Sequence, residues 1–239
     1  MREAFHQRML RTFFTATVIA VVAFAAIGCA KEPAQEQPAE IASAPAAPAP
    51  KVEEYAPLAT YAAMVIPEDN PMSDAKIALG HQMFFDARLS GDGSRSCYSC
   101  HLNERGLSDG RPMAIGAFEK QLTRNSPTMW NIGYHPHFYW DGRATTLEAQ
   151  ALAAWKGGNM GATEPEKIVA AINAIEEYRT QFQAVFAEDA TVDNVPKALA
   201  AYMRTIVSGS TPWDTWQAGD DSAIGEPATR GAEAFNKAK

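Results

Sequence analysis

Two of the three cysteines of this 239-residue chain lie in one five-residue segment, Cys97-Tyr98-Ser99-Cys100-His101. A C-x-x-C-H segment of this kind is the attachment signature of a c-type haem, in which each cysteine forms a thioether with a haem vinyl group. His101 directly follows the second cysteine and is therefore placed to bind the iron from one face. The segment predicts one covalently bound haem, anchored by Cys97 and Cys100 and coordinated by His101.

Two other kinds of site use a C-x-x-C pair, a tetrahedral zinc centre and a redox-active dithiol. A structural zinc site needs further Cys or His ligands at matching spacing, and the sequence has no second C-x-x-C. A thioredoxin-like dithiol belongs near a βαβ pattern, which this sequence does not have. The residues therefore favour haem attachment over both alternatives.

The first 28 residues are predicted to be an export signal of the lipoprotein type. Three arginines within the first eleven residues are followed by an uncharged apolar run from 13 to 27, which is short for a membrane span. Ala26-Ile27-Gly28-Cys29 is similar to a lipoprotein signal box, so we predict that Cys29 carries a lipid. The alternative is an ordinary secretory signal that is cut nearby and leaves Cys29 unpaired.

Residues 29–57 are predicted to form a disordered linker. They consist largely of Ala, Pro, Glu and Gln and cannot bury enough apolar surface to become ordered. The prolines stiffen this linker into a semi-extended tether, as a domain held away from a membrane needs. Signal, tether and haem attachment agree on the bacterial periplasm, with the lipid as the protein's attachment to a membrane.

The charge of the chain excludes one class of partner. The formal net charge is −7, and no nucleic-acid partner is expected for so acidic a protein. Small molecules and basic redox proteins are the partners that this charge favours.

Helical signals dominate the remaining sequence and predict an all-α fold. Ser73 begins a capped helix over 74–85, and Thr145-x-x-Glu148 and Thr163-x-x-Glu166 have the spacing of capping boxes. No segment has sustained strand alternation. Residues 89–142 are rich in Gly, Asp, Asn, Pro and Ser, which predicts a long structured loop region wrapped around a ligand. The haem is the candidate for that ligand.

A short pattern near the haem segment recurs at the end of the chain. Gly80 precedes Phe84 by four residues on the helix that leads to Cys97, and Gly231 precedes Phe235 by the same interval. We therefore predict that residues 58–218 form one haem domain and that 219–239 begin a second one, stopping before its cysteines. The alternative is a chance similarity between two amphipathic helices.

Several separate motifs, read together, resemble the bacterial dihaem cytochrome c peroxidase family. They occupy residues 79–101, 107–112, 123–131 and 138–151, in the order and spacing of that family. The resemblance implies cytochrome c-like haem domains with long structured loops. It also implies a low-potential N-terminal haem that reduces peroxide, a high-potential C-terminal haem where electrons enter, and a calcium ion between the domains.

The resemblance also assigns roles to single residues. The haem-anchoring pair and the proximal ligand of the family fall on the C-x-x-C-H segment. Trp140 matches a tryptophan that relays electrons between the haems. Asn125 matches a residue that binds calcium through an oxygen, and Gln150 matches a distal amide that interacts with peroxide. Without the resemblance, Trp140 is interpreted as core packing, Asn125 as a turn residue and Gln150 as an exposed helix position.

Three departures from the family pattern bear on the chemistry. Ala117 stands where many members carry a distal histidine, which leaves the iron open as in members that need no reductive activation. The distal glutamate of the family falls near Asn159-Met160, so either Glu164 replaces it as acid and base or Met160 binds the iron as a sixth ligand. The sequence also lacks a second C-x-x-C-H.

The predicted function is a periplasmic c-type haem peroxidase that reduces hydrogen peroxide to water. Its electrons come from a small redox protein, either a cytochrome c or a cupredoxin. We expect one haem c in this chain, two in the full family architecture, a calcium ion, and a homodimer as one candidate assembly. The alternatives are a monohaem electron-transfer cytochrome with Met160 on the iron, and a dihaem oxidase that modifies a protein or a small substrate.

Overall fold

A computed structural model describes residues 63–238 of the chain, which all belong to one compact unit. The predicted signal over 1–28, the lipidation site Cys29 and the linker over 29–57 lie outside the described residues. So do the first five residues of the domain predicted to begin at 58. Within 63–238, no helix has both the length and the apolar character needed to cross a bilayer.

Seven α-helices run through the described part of the chain. They are α1 (Asp74–Phe84), α2 (Leu147–Lys156), α3 (Pro165–Asn173), α4 (Glu176–Phe186), α5 (Asn194–Met203), α6 (Pro212–Gln217) and α7 (Glu226–Lys237). Between α1 and α2 the chain forms only short 3₁₀ turns and three isolated antiparallel bridges. The predicted all-α fold and the predicted long loop region are confirmed for the described residues.

The core forms where α1 crosses α5, with α2 and α4 packed beside this pair. Gly80 allows the two backbones to meet, because a Cβ added there would lie 2.0 Å from the carbonyl oxygen of Ala198. Trp155 of α2 and Tyr178 and Phe182 of α4 are fully buried around the crossing. This helical core supports the long loop region, which has no sheet or helix of its own.

The start of α2 differs from the prediction by one residue. Thr146, not Thr145, caps the helix, and its Oγ1 accepts a hydrogen bond from the backbone N–H of Ala149 at 3.1 Å. Glu148 does not close a capping box, because its carboxylate binds the buried Arg204 of the neighbouring chain segment. The carboxylate expected to close the box thus takes part in a long-range ion pair.

Of the other two predicted helix starts, one is confirmed and one is wrong. Ser73 caps α1 as predicted, with its Oγ accepting from the N–H of Lys76 at 3.3 Å. The box proposed at Thr163 is wrong, since α3 begins with Glu164 at its cap position and Pro165 in its first turn. Proline presets the backbone there, so the helix starts without a side-chain cap.

The last two helices lie on either side of residue 218, the predicted domain boundary, which stays a prediction. The short helix α6 ends at Gln217, and α7 carries both members of the repeated pattern. Nothing lies within 4 Å of a Cβ added at Gly231, and Phe235 is 67% exposed. The space beside Gly231 is thus open, and the assignment of α7 to a second haem unit stays a prediction.

The helix crossing predicts that Gly80→Ala destabilises the protein, because the added methyl group must displace the backbone at Ala198. We expect the free energy of unfolding, measured by urea denaturation, to fall by about 1–3 kcal/mol. Gly231→Ala is the matched control on an open helix face, where removal of glycine raises helix stability by about 1 kcal/mol or less. Equal stability of the two variants would contradict the close crossing.

Candidate functional site

One cavity of about 380 Å³ brings together the residues singled out from the sequence. It opens between the C-x-x-C-H segment, the loop over 114–129, the turn at 138–143 and α2. The residues with predicted roles that line it are Cys97, Cys100, His101, Asn125, Trp140, Gln150 and Met160. Two residues from the same reasoning are absent from its wall, Ala117 and Glu164.

The proximal side of the cavity is formed by His101. Its ring nitrogen Nδ1 lies 2.9 Å from the carbonyl oxygen of Leu107. A carbonyl oxygen only accepts, so Nδ1 carries the hydrogen and Nε2 keeps its lone pair free for a metal ion. Burial lowers the pKa of His101, which also favours the neutral ring that binds iron.

A tight local turn holds the Leu107 carbonyl, which accepts the hydrogen bond from His101, in place. Leu102 and Ser108 pair as an antiparallel bridge, and Gly106 and Leu107 between them have φ values of +66° and +59°. A positive φ suits Gly106 but is uncommon for a residue such as Leu107. This turn points the carbonyl of Leu107 back at the imidazole ring.

The two cysteines lie beside His101 on the cavity wall. Both are free and half-buried, and burial raises the pKa of the Cys97 thiol to about 12 and raises that of Cys100. A redox-active dithiol has the opposite property, a lowered thiol pKa. In the part of the chain that the structure describes, no three His, Cys, Asp or Glu side chains form a cluster that could hold a metal ion. The zinc and dithiol alternatives therefore lack support.

The lining of the cavity fits a haem. Most of its walls are apolar or aromatic, including the buried side chains of Phe84 and Trp155. Besides His101, the lining contains three residues with a charged side chain, and all three are cationic: Lys120, Arg124 and Arg143. A flat apolar macrocycle with two anionic propionates is complementary to such a lining. These residues, together with the cysteines and His101, would hold haem c.

Gln150 and Met160 lie on the same cavity from different elements. Gln150 is on α2, where the hydroxyl of Tyr139 donates to its backbone carbonyl at 3.0 Å. Met160 is 6% exposed, and its carbonyl oxygen accepts from the N–H of Gly91 at 2.8 Å. Both side chains are placed where a molecule in the cavity meets them.

The two residues that the cavity leaves out have other contacts. Ala117 is buried, and its N–H donates to the carbonyl oxygen of Asn159 at 3.0 Å, behind the cavity wall. Glu164 occupies the cap position of α3 without a capping hydrogen bond from its side chain, and it forms an exposed ion pair with Lys167, with the two charged atoms 2.6 Å apart. The structure therefore gives no support to Glu164 as an acid and base in the cavity.

Trp140 and Asn125 lie together at the mouth of the cavity. The indole Nε1 of Trp140 donates to the backbone carbonyl of Asn125 at 3.2 Å. Trp140 is 57% exposed, so the core-packing interpretation of this residue is wrong. Its electron-relay role and the calcium role of Asn125 stay predictions.

Sequence reasoning missed several lining residues. Trp155 is buried and donates from Nε1 to the carbonyl of Leu89 at 2.8 Å. Tyr139 has a φ of +67°, and the guanidinium of Arg143 lies 3.6 Å from the centre of its ring. The three adjacent aromatic residues in the 138–140 segment could have indicated a site, whereas Trp155 gave no local signal.

A buried polar network positions α2 and hence Gln150. Oε1 of Glu148 lies 2.7 Å from Nη1 of Arg204, an ion-pair contact without hydrogen-bond geometry. Nη2 of Arg204 donates a hydrogen bond to Oε2 of Glu148 at 3.0 Å. Asn70 donates to Glu148 at 2.6 Å and accepts from Lys76 at 2.9 Å. Burial by itself would raise the pKa of Glu148, but the bonds and charge of Arg204 outweigh it and lower this pKa.

The fold and the site define an all-α, cytochrome c-like haem domain. Residues 74–222 match the family model described as di-haem cytochrome c peroxidase. The chain belongs to this family, whose members are oxidoreductases of the peroxidase type. The family implies haem c as the cofactor, in agreement with the cavity.

Two curated relatives and one solved structure illustrate the similarity. The chain is 38% identical over 234 residues to cytochrome-c peroxidase IdrP1 of Denitromonas iodatirespirans, covering 97% of this chain and 56% of the relative. It is 39% identical over 171 residues to methylamine utilization protein MauG of Methylorubrum extorquens, covering 71% of this chain and 48% of that relative. A solved MauG-like protein associated with microbial copper homeostasis has a TM-score of 0.65 and 33% identity, covering 75% of this chain and 55% of that one. The chain thus spans about half the length of the curated relatives it matches.

The buried network predicts that Glu148→Gln destabilises the protein, since it leaves the Arg204 guanidinium buried opposite a neutral group. We expect a loss of about 3–5 kcal/mol in the free energy of unfolding at neutral pH. The pKa of Glu148 is lowered in the folded state, so the ion pair stabilises above pH 4.5 and loses this effect as pH falls through the lowered pKa.

The matched control is Glu164→Gln, which breaks the exposed pair with Lys167 and should cost about 1 kcal/mol or less. Urea denaturation at several pH values measures both variants. If Glu148→Gln were as mild as the control, the network would not be what holds α2.

Proposed function

We propose that this chain is the peroxide-reducing haem domain of a c-type haem peroxidase, with hydrogen peroxide as its substrate. The observation that carries the proposal is the cavity on which the C-x-x-C-H residues and Gln150 converge. Membership in the di-haem cytochrome c peroxidase family and the printed names of relatives such as cytochrome-c peroxidase IdrP1 support it. The reaction consumes one peroxide, two electrons and two protons and yields two molecules of water.

The chain contributes positioning more than proton transfer. Cys97 and Cys100 fix the cofactor, and the Leu107 carbonyl keeps Nε2 of His101 available as the proximal ligand. When bound, the haem supplies the redox chemistry. The apolar walls restrict water, and the amide of Gln150 orients peroxide by hydrogen bonding. An amide does not exchange a proton as a carboxylate does, so we infer that water delivers the protons.

The electron path and the second domain are part of the same proposal. Trp140 is exposed at the cavity mouth, where it can relay electrons from a second haem domain that begins within 219–239. A cytochrome c or a cupredoxin would supply those electrons, and Asn125 would contribute an oxygen to a calcium ion between the domains. A homodimer fits the proposal, as does a periplasmic location with a lipid on Cys29.

One observation favours a second candidate, an electron-transfer cytochrome. The thioether of Met160 is buried on the cavity wall, where it is available as a sixth ligand of the iron. A methionine in that position raises the reduction potential and suits electron transfer over peroxide binding. The similarity to MauG, together with Ala117 at the distal-histidine position, keeps a substrate-modifying dihaem oxidase as a third candidate.

The test is the ferric spectrum and the peroxide consumption of the haem-loaded chain. We expect a high-spin spectrum that Met160→Leu leaves unchanged, with peroxide consumed when a reduced donor is supplied. Gln150→Leu should lower kcat/KM for peroxide by about 10²-fold, the usual effect of removing one positioned hydrogen-bond donor. Gln121→Leu, at another amide lining the cavity, is the matched control and should keep near-normal activity.

The opposite spectral result would reject the peroxidase proposal for this haem. It would be a low-spin ferric spectrum with a methionine-to-iron band that disappears in Met160→Leu. That outcome would establish the electron-transfer candidate instead.

A further inference from the structure

Three loops meet beside the cavity with backbone against backbone. A Cβ added at Gly91 would lie 2.1 Å from the carbonyl oxygen of Gly161, and one added at Gly116 would lie 2.0 Å from that of Gly158. No side chain fits at either contact. The loops over 90–94, 116–120 and 157–161 are therefore packed as closely as main chains allow.

Hydrogen bonds join the same loops to residues of the cavity wall. The N–H of Gly91 donates to the carbonyl of Met160 at 2.8 Å, and the N–H of Ala117 donates to that of Asn159 at 3.0 Å. Met160, Asn159 and Lys120 all line the cavity. The position of this wall thus depends on how firmly the loop over 116–120 is held.

A carboxylate from the 90–94 loop adds a side-chain contact to the loop over 116–120. Oδ2 of Asp92 accepts from the backbone N–H of Phe118 at 2.6 Å, across 26 positions of the sequence. Oδ1 of the same residue accepts from the N–H and Oγ of Ser94 at 3.1 and 2.7 Å and from Oγ of Ser90 at 3.2 Å. The carboxylate is therefore fixed on its own loop and reaches out to the next one.

The loop that Asp92 holds needs such a fastening. Phe118 and Glu119 have φ values of +56° and +52°, a conformation that side-chain-bearing residues adopt at a cost. Phe118 is also 64% exposed, so its side chain gains little from burial. Slight desolvation raises the pKa of Asp92, but its hydrogen bonds with Ser94, Phe118 and Ser90 lower it to about 2. The carboxylate is thus charged at any physiological pH.

We propose that Asp92 is a positioning residue for the haem cavity. Its hydrogen bond to Phe118 holds the loop over 116–120 against the 157–161 loop and thereby keeps the Asn159–Met160 wall closed. The closed wall restricts the entry of molecules larger than peroxide to the iron. The proposal rests on the proposed haem site but not on peroxidase turnover.

Asp92→Asn removes one of the two acceptor oxygens and the charge. The single amide oxygen cannot accept from the N–H groups of both Ser94 and Phe118, as the carboxylate does, and the amide nitrogen only donates. Asp220→Asn is the matched control, because Asp220 accepts from the N–H and Oγ of Ser222 at 2.9 and 2.6 Å. That aspartate has the same local motif without the bond to a distant loop.

The measurement is the association rate of imidazole with the ferric haem by stopped-flow absorbance. We expect Asp92→Asn to accelerate it by about tenfold, the factor for one lost charge-assisted hydrogen bond, and Asp220→Asn to leave it unchanged. Backbone amide exchange over residues 114–120 should also accelerate in Asp92→Asn alone, and this readout works with or without bound haem.

An unchanged imidazole rate in Asp92→Asn overturns the proposal, even if the variant is less stable. So does normal amide exchange over 114–120, or an equal effect of Asp220→Asn. A faster imidazole rate in a protein that consumes no peroxide would reject the peroxidase proposal and leave the role of Asp92 intact.

Discussion

When Nδ1 of His101 donates to the carbonyl oxygen of Leu107, 2.9 Å away, the second ring nitrogen is left free to bind iron. The adjacent cysteines would determine where the cofactor is attached, and this contact would decide how the ligand faces it. The rest of the cavity is built around that orientation. Residues from α2, from the 138–143 turn and from the 157–161 loop converge on the cavity that His101 lines.

The loop region keeps its shape through backbone contacts as well as through buried side chains such as Leu107, Met129 and Phe138. It lies on a helical core that depends on the glycine contact between α1 and α5. Within the loops, glycines again allow close approach, and the charged side chain of Asp92 joins segments that have no regular secondary structure. The buried pair of Glu148 and Arg204 joins α2 to the end of α5, so that the helix carrying Gln150 is fixed at its first turn.

Local patterns predicted the parts of this structure that depend on local chemistry. The cap at Ser73 acts within a few residues, the loop-rich composition of 89–142 acts along one continuous segment, and the fold agrees with both. The partner of Glu148 could not be predicted, since Arg204 lies 56 positions along the chain. The exposure of Trp140 and the bond from Phe118 to Asp92 also depend on tertiary contacts that no spacing rule contains.

The central claim is that Cys97 and Cys100 hold one haem covalently on this cavity, with His101 as its ligand. The most direct measurement is extraction of the haem-loaded chain with acidified acetone, followed by the intact mass of the protein. The account predicts that the colour stays with the protein and that the mass exceeds that of the polypeptide by one haem. Haem released into the solvent, with the mass of the bare polypeptide left behind, would contradict it.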